Sequence, residues 1–211
     1  MSVLRAIFCI LVALAAVPAH AAPPLVLVAL GDSLTAGYGL PQDAAFPSVL
    51  ARRLTDMGWQ VEVRNAGVSG DTTAGGLARL DWALTPPPDA VILELGANDA
   101  LRGLPPAEAK ANLAAMLKKL KEKNVPALLA GMRAPRNLGA AYATEFDAIY
   151  PALAAEFGVP LYPFFLAGVA ADPRYVQPDG LHPTREGVEI VVNAILPQVE
   201  ELLDRAAKGA R

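Results

Sequence analysis

The chain has 211 residues, of which 54% are hydrophobic and 18% are charged, and its formal net charge is −3. This acidic balance, together with the lack of a basic cluster in the sequence, excludes a typical nucleic-acid-binding protein. The length is sufficient for one domain with a single hydrophobic core, and no linker or internal repeat divides it.

The first 21 residues have the pattern of a secretory signal peptide. Arg5 provides a positive charge, residues 6–17 form an apolar core, and Ala-His-Ala at residues 19–21 is a small-x-small cleavage site. The apolar core is too short to span a bilayer, so we expect no stable membrane anchor. Cleavage would release residues 22–211 as a single domain into the periplasm or the medium.

Cleavage also reduces the set of reactive side chains. It removes the only cysteine, Cys9, so the mature chain has no disulfide, no thiolate metal site and no cysteine nucleophile. It removes His20 as well, which leaves His182 as the one histidine available for catalysis.

Strand-like and helix-like segments alternate along the rest of the chain. Apolar runs, continuous or alternating, predict strands, and apolar residues three and four positions apart predict helices. We expect strands at residues 25–30, 60–64, 89–95, 125–131 and 159–162, helices at 46–57, 77–84, 106–123, 142–157 and 184–203, and loops at 65–73 and 96–99. This alternation, with right-handed crossovers, indicates an α/β fold with a five-stranded, mainly parallel sheet.

The end of the first predicted strand contains a candidate nucleophile. Residues 25–30 are all apolar, which suits a strand buried on both faces, and Gly31 allows a sharp turn directly after it. Ser33 then lies at the carboxyl edge of the sheet, where open α/β sheets bind their ligands. Its hydroxyl either caps the next helix or acts as a nucleophile, and a serine nucleophile needs an adjacent base.

The candidate base is His182, which follows Asp179 by three residues in a loop that contains glycine and proline. A lone histidine is more often a surface or core residue, but a carboxylate at this spacing can hold the imidazole in one tautomer while the other ring nitrogen faces a serine. Asp32 and Asp71 are alternatives for the carboxylate. We favour structural roles for both, as hydrogen-bond acceptors in glycine-rich loops.

Four blocks of the sequence together resemble the SGNH, or GDSL, hydrolase superfamily. They are Gly-Asp-Ser-Leu at residues 31–34, Asn-Ala-Gly-Val-Ser-Gly-Asp-Thr-Thr at 65–73, Leu-Gly-Ala-Asn-Asp at 95–99, and Asp-x-x-His at 179–182. Further likeness at residues 75–80, 101–103 and 159–165 points to the periplasmic thioesterase I, lysophospholipase and arylesterase branch. The resemblance covers essentially all of residues 22–211 and implies the three-layer α/β/α, flavodoxin-like SGNH-hydrolase fold with helices on both faces of the sheet.

The resemblance implies a serine hydrolase with Ser33, Asp179 and His182 as its catalytic residues and with no cofactor or metal. The backbone N–H groups of Ser33 and Gly70 and the side-chain amide of Asn98 would then form the oxyanion hole. Taken alone, Gly70 and Asn98 are ordinary turn residues, and only the joint pattern is specific. The expected partners are small acyl esters or thioesters, and the expected state is a monomer.

Apolar residues in the loops near the implied acyl crevice are candidates for substrate binding. They are Leu101, Leu104, Ala134, Leu138, Phe164 and Phe165. Their apolar character suits a fatty acyl or aromatic group. For the two phenylalanines, completion of the hydrophobic core is an equally good interpretation.

Other interpretations compete with an acyl esterase. A carbohydrate acetylesterase of the same superfamily would have a polar, open crevice, and a catalytically silent ligand-binding protein would keep the fold without the chemistry. A nucleotide-binding module needs a phosphate-binding glycine loop, and an α/β-hydrolase needs a Gly-x-Ser-x-Gly elbow. The sequence contains neither motif.

Overall fold

The computed structural model describes residues 23–209, and the expected signal peptide at residues 1–21 lies outside the described residues. The strands are β1 (Leu25–Gly31), β2 (Val61–Gly67), β3 (Ala90–Glu94), β4 (Ala127–Ala130) and β5 (Leu161–Tyr162). The helices are α1 (Ser33–Ala36), α2 (Phe46–Asp56), α3 (Thr73–Ala83), α4 (Ala97–Leu101), α5 (Pro106–Glu122), α6 (Ala140–Asp147), α7 (Ile149–Phe157) and α8 (Arg185–Gly209). Short 3₁₀ turns occur at Gln42–Ala44 and Arg136–Leu138.

All strand pairs in the sheet are parallel, in the order β2-β1-β3-β4-β5. Leu27 of β1 lies opposite Val63 on one side and Ala90 on the other. The strand order reverses between β1 and β3, and a ligand crevice forms outside the carboxyl ends of strands at such a reversal. Since β1 leads into Ser33 and β3 leads into Asn98, both residues lie at this position.

Helices cover the sheet on its two faces. The crossover from β1 to β2 runs along the sheet in the opposite direction to the crossover from β3 to β4, so right-handed connections place α2 and α5 on opposite faces. Helix α8 packs beside α2, and α3 and α7 pack beside α5. Every residue of β3 is buried. This arrangement confirms the predicted three-layer α/β/α fold with a five-stranded sheet.

The segment predicted as one helix at residues 142–157 is two helices, α6 and α7. The break falls at Ala148, between Asp147 and Ile149. Pro151 explains it, because its ring has no N–H to donate to the carbonyl of Asp147 and collides with that carbonyl in a continuous helix. The prediction of a single helix was therefore wrong.

Several element boundaries also differ from those predicted. Strand β2 runs on to Gly67 and so includes the start of the loop predicted at residues 65–73, while α4 occupies most of the loop predicted at residues 96–99. Strands β4 and β5 begin later than predicted, directly after Pro126 and Pro160 respectively. A proline has no N–H and therefore cannot donate a hydrogen bond to the neighbouring strand.

Candidate active site

The turn after β1 places the side chain of Ser33 at the carboxyl edge of the sheet. Asp32 caps α1, because its Oδ1 accepts a hydrogen bond from the backbone N–H of Leu34 at 3.0 Å. The Ser33 hydroxyl is therefore not needed as the cap and is free for another partner. The turn requires Gly31, since a Cβ at this position would collide with the side chain and the carbonyl oxygen of Glu94.

Three side chains from the two ends of the chain form a continuous hydrogen-bonded series. Oγ of Ser33 lies 2.9 Å from Nε2 of His182, and Nδ1 of His182 lies 2.6 Å from Oδ2 of Asp179. Ser33 follows β1, whereas Asp179 and His182 lie in the loop before α8. In this arrangement Nδ1–H can donate to the carboxylate while Nε2 accepts the serine proton.

The Asp179 carboxylate accepts three hydrogen bonds. Its Oδ1 accepts from the backbone N–H groups of Leu181 at 2.9 Å and His182 at 3.0 Å, and its Oδ2 accepts from the imidazole. The N–H of His182, then that of Leu181 and then the imidazole lower the pKa of Asp179 to about 2. Asp179 is therefore charged at neutral pH, as a group that fixes a tautomer and stabilises an imidazolium has to be.

The two alternative carboxylates have other partners. Asp32 is the fully buried cap of α1, and Oδ2 of Asp71 lies 2.6 Å from Nε of Arg79. Nη2 of Arg79 also donates to the carbonyl of Gly31 at 2.9 Å. The ion pair thus ties the loop that carries Gly70 to the end of β1, and both aspartates have the structural contacts that we expected of them.

The backbone N–H groups of Ser33 and Gly70 donate to no acceptor within residues 23–209. Ser33 is the first residue of α1, a position whose N–H has no partner within a helix. Gly70 has a φ of 86° and lies in an exposed turn, and its carbonyl accepts a hydrogen bond from Nη2 of Arg102 at 2.8 Å. Both residues border the same crevice, so both N–H groups are available to a substrate oxygen.

Asn98, the third expected oxyanion donor, borders the same crevice but already has two acceptors. Its Nδ2 donates to Oδ2 of Asp32 at 3.1 Å and to the carbonyl of Asp71 at 2.9 Å. These contacts fix the orientation of the amide. An oxyanion would be a third acceptor for this nitrogen and would share one of its two hydrogens.

Two buried carboxyl groups lie directly behind the serine. Oε2 of Glu94 accepts from Oγ1 of Thr35 at 2.6 Å and from the N–H of Asp32 at 3.4 Å. Burial, followed by the charge of Asp32, raises the pKa of Glu94 well above its ordinary value, and burial raises the pKa of Asp32 to about 6. Burial therefore disfavours a charge on both carboxyl groups, and the Asn98 amide contacts the Asp32 carboxyl group.

A crevice of about 370 Å³ opens beside Ser33 and His182, a volume within the usual range for small-molecule sites. Its wall is mainly apolar and includes Leu34, Tyr38, Leu101, Met132, Phe164, Leu166, Val176 and Leu181. Two of the expected substrate-binding residues, Leu101 and Phe164, thus border the crevice. Most of the others in this wall were not anticipated, because single apolar residues in loops have no periodicity that marks them.

The remaining expected substrate-binding residues do not line this crevice. They are Leu104, Ala134, Leu138 and Phe165. Phe165 is 1% exposed and packs edge-on against Phe46, which is the core position that was the alternative interpretation. Ala134 is buried, with its N–H donating to Oδ1 of Asp147 at 2.8 Å. Leu104 and Leu138 are half-buried outside the lining.

Gln177 links the two loops that carry the serine and the histidine, a role that no sequence pattern predicted. Its Nε2 donates to the carbonyls of Tyr38 at 2.8 Å and Pro183 at 2.9 Å. Its backbone N–H donates to the carbonyl of His182 at 2.7 Å. A glutamine near the Asp-x-x-His block has no sequence signal of its own, because its role depends on a contact with a residue far away in the chain.

The described residues contain neither a candidate metal centre nor a candidate membrane span. No group of three or more histidine, cysteine, aspartate or glutamate side chains between residues 23 and 209 could hold a metal ion. No helix in this part of the chain is long and apolar enough to cross a membrane.

Comparison with known proteins identifies the family. The model of the GDSL-like lipase/acylhydrolase family matches residues 29–190, a span that contains Ser33, Gly70, Asn98 and both members of the Asp-x-x-His block. The chain belongs to this family. The match confirms the expected SGNH/GDSL superfamily. Together with esterase and thioesterase relatives, it shows that the protein is an ester hydrolase.

This GDSL-like hydrolase is similar in sequence to an arylesterase and to a thioesterase/lysophospholipase. The chain is 45% identical over 161 residues to an arylesterase of Vibrio mimicus, covering 76% of this chain and 80% of that protein. It is 41% identical over 181 residues to thioesterase 1/protease 1/lysophospholipase L1 of Escherichia coli strain K12, covering 84% of this chain and 85% of that protein.

Solved structures of GDSL-like hydrolases have the same fold. The crystal structure of TesA superposes with a TM-score of 0.80 at 39% sequence identity, covering 84% of this chain and 99% of that one. AlinE4, described as an SGNH-hydrolase family esterase, superposes with a TM-score of 0.74 at 48% identity, covering 87% of this chain and 99% of that one.

Proposed function

We propose that this protein cleaves monoacyl carboxylic esters and thioesters through a covalent acyl-enzyme at Ser33. The observation that carries the proposal is the hydrogen-bonded series from Asp179 through His182 to Ser33, with distances of 2.6 and 2.9 Å, beside an apolar crevice. A serine hydroxyl is a weak nucleophile until a neighbouring base takes its proton, and His182 is in position to do so.

The proposed reaction has two steps that use the same groups. His182 Nε2 removes the proton of Ser33 as Oγ attacks the acyl carbonyl, and Asp179 stabilises the imidazolium that forms. The carbonyl oxygen becomes an oxyanion, which accepts hydrogen bonds from the N–H groups of Ser33 and Gly70 and from the Asn98 amide. His182 then gives its proton to the leaving alcohol or thiol, and the acyl group stays on Ser33. Water, deprotonated by His182, attacks this ester; the bond from the acyl carbon to Oγ breaks, the acid leaves, and Ser33 takes its proton back from His182.

The crevice wall supports an alkyl or aryl acyl group as the part of the substrate that is bound. Leu101 and Phe164 contribute apolar surface beside the nucleophile, and we propose that both contact the acyl group. A sugar substrate requires polar partners for its hydroxyl groups, so this wall does not favour a carbohydrate acetylesterase. The relatives named arylesterase and thioesterase/lysophospholipase have activities of the proposed kind.

We also propose that the protein is exported and acts as a monomer of one domain, residues 22–211. The support is the signal-peptide pattern at residues 1–21 and the single hydrophobic core that joins β1 to α8. Intact mass of the protein recovered from the periplasm or medium should equal that of residues 22–211, and light scattering should give the mass of one chain. Retention of residues 1–21 or a stable dimer would contradict this proposal.

The test of the proposed activity uses 4-nitrophenyl esters from acetate to palmitate. We expect the wild-type protein to hydrolyse them, with a preference beyond acetate because the crevice is apolar, and Ser33→Ala to be folded but inactive. Ser48→Ala, a serine-to-alanine change in α2 outside the crevice, is the matched control and should keep wild-type activity. Equal activity of wild type and Ser33→Ala would contradict the proposal.

A further inference from the structure

The main chain at Tyr38 is hydrogen-bonded to the backbone of the proposed nucleophile. Tyr38 follows α1 directly after Gly37, whose φ of 84° ends that helix. Both the N–H of Gly37 and the N–H of Tyr38 donate to the carbonyl of Ser33, at 3.1 and 3.0 Å. The position of Tyr38 relative to Ser33 is therefore fixed by the main chain and does not depend on side-chain packing alone.

Tyr38 is also hydrogen-bonded, through its carbonyl, to the loop that carries His182. Nε2 of Gln177 donates to the carbonyl of Tyr38 at 2.8 Å and to that of Pro183 at 2.9 Å, and the N–H of Gln177 donates to the carbonyl of His182 at 2.7 Å. Gln177 thus joins Tyr38 of the serine loop to His182 and Pro183 of the histidine loop. This link holds the main chain of Tyr38 beside the histidine loop.

The ring of Tyr38 packs on the imidazole of His182 and leaves a large part of itself open to the crevice. The two ring centroids are 4.5 Å apart, with an interplanar angle of 35°. Tyr38 is nevertheless 54% exposed, and it lines the crevice next to His182. Its hydroxyl makes no hydrogen bond to any of residues 23–209. The exposed part of the ring is therefore an apolar surface beside the base.

The reaction places the leaving group beside this surface. His182 Nε2 takes the serine proton and delivers it to the leaving oxygen or sulfur, so that atom has to come within hydrogen-bond distance of Nε2. Whatever substituent it carries then lies next to the ring that packs on the same imidazole. Aromatic rings gain from offset or edge-on contact with another ring beyond what apolar burial alone supplies.

We propose that Tyr38 forms the leaving-group wall of the site and that it selects esters of aromatic alcohols over esters of aliphatic alcohols of the same size. This inference rests on the proposed acyl transfer at Ser33 and deepens it by assigning the residue that distinguishes the two kinds of leaving group. The bond that breaks is the ester C–O bond, and the phenol leaves with the proton from His182. An aromatic pair corresponds to about a threefold to tenfold preference.

The test compares phenyl butyrate with cyclohexyl butyrate, which have the same acyl group and leaving groups of similar size. The value measured is the ratio of their kcat/KM values, because kcat/KM reports the step in which the alcohol leaves. Tyr38→Leu should lower the phenyl-to-cyclohexyl ratio by about threefold to tenfold, and Tyr38→Phe should keep it. Trp82→Leu removes an aromatic ring that is 73% exposed and outside the crevice, and it should leave the ratio unchanged.

Two results would overturn the inference. An equal loss on both esters in Tyr38→Leu would mean that Tyr38 only supports His182, and an unchanged ratio would mean that the leaving group does not contact the ring. Competitive inhibition by phenol against cyclohexanol gives the same comparison without the chemical step, and Tyr38→Leu should remove the preference for phenol. Failure of the proposed function is a different result, in which the wild type hydrolyses neither ester.

Discussion

Phe164 and Phe165 are neighbours in sequence, but their positions give opposite predictions. Phe165 is 1% exposed, and its ring centroid lies 5.0 Å from that of Phe46 in an edge-on contact. Truncation of a fully buried phenylalanine to alanine costs about 3–5 kcal/mol. For a chain of this size each kcal/mol lowers Tm by about 2–4 °C, so Phe165→Ala should lower Tm by about 6–20 °C. Its acyl-chain preference should remain that of the wild type.

Phe164 is half-buried at the crevice, where the guanidinium of Arg133 lies 5.0 Å from its ring centroid. An exposed contact of this kind contributes about 0.5–1 kcal/mol, so Phe164→Ala should lower Tm by only a few degrees. Loss of the ring from the crevice removes about 1–2 kcal/mol of contact with an acyl chain. We therefore expect kcat/KM for 4-nitrophenyl octanoate to fall about fivefold to thirtyfold relative to that for the acetate.

The assay pairs thermal unfolding, followed by circular dichroism, with kcat/KM for the two esters on the same protein samples. Each variant is the control for the other, because both changes remove the same ring from adjacent positions. A wild-type Tm in Phe165→Ala would refute the core position assigned to this ring. An unchanged octanoate-to-acetate ratio in Phe164→Ala would refute the acyl contact assigned to that ring.

Two further changes test the groups behind and beside the triad. Burial raises the pKa of Asp32 to about 6. Between about pH 4 and pH 6 the native state therefore holds a proton that the unfolded chain has lost. Because of this difference, the free energy of unfolding falls as the pH rises through this window. Asp32→Asn keeps the helix cap and removes this titration. Urea unfolding at pH 4.5 and pH 7 should therefore show a smaller fall in the free energy of unfolding than in wild type, and an equal fall would count against the buried charge. Gln177→Met removes two side-chain hydrogen bonds of about 1 kcal/mol each, one to Tyr38 in the serine loop and one to Pro183 in the histidine loop. This change should lower kcat by about tenfold with little change in KM, whereas Gln42→Met, at an exposed position, should not. An unchanged kcat in Gln177→Met would show that the loops stay aligned without this link.

The sequence was sufficient to predict the sheet and the candidate triad, because both leave strong local patterns. The unbroken apolar run of β1 predicts a buried strand, and Gly31 directly after it predicts the turn that presents Ser33. With His20 in the expected signal peptide, His182 was the one histidine to consider, and Asp179 at a spacing of three supplied the carboxylate. The structure places these side chains within hydrogen-bond distance of one another.

Features that depend on contacts between distant segments could not be predicted in the same way. The pattern of apolar residues does not distinguish Phe164 at the crevice from Phe165 in the core, since adjacent loop residues have no fixed period. Gln177 contacts Tyr38 across most of the chain, and no local pattern reports that contact. The break before α7 was accessible in principle, because Pro151 excludes a continuous helix through this segment.

The central claim of this account is that Ser33 is the nucleophile that His182 activates. The most direct test is covalent labelling with an alkyl fluorophosphonate, followed by intact mass and by mapping of the labelled peptide. We expect one phosphonyl group per wild-type chain, located on Ser33, no label in Ser33→Ala, and labelling in His182→Ala that is slower by orders of magnitude. A label on a different residue, or equal labelling of wild type and Ser33→Ala, would contradict it.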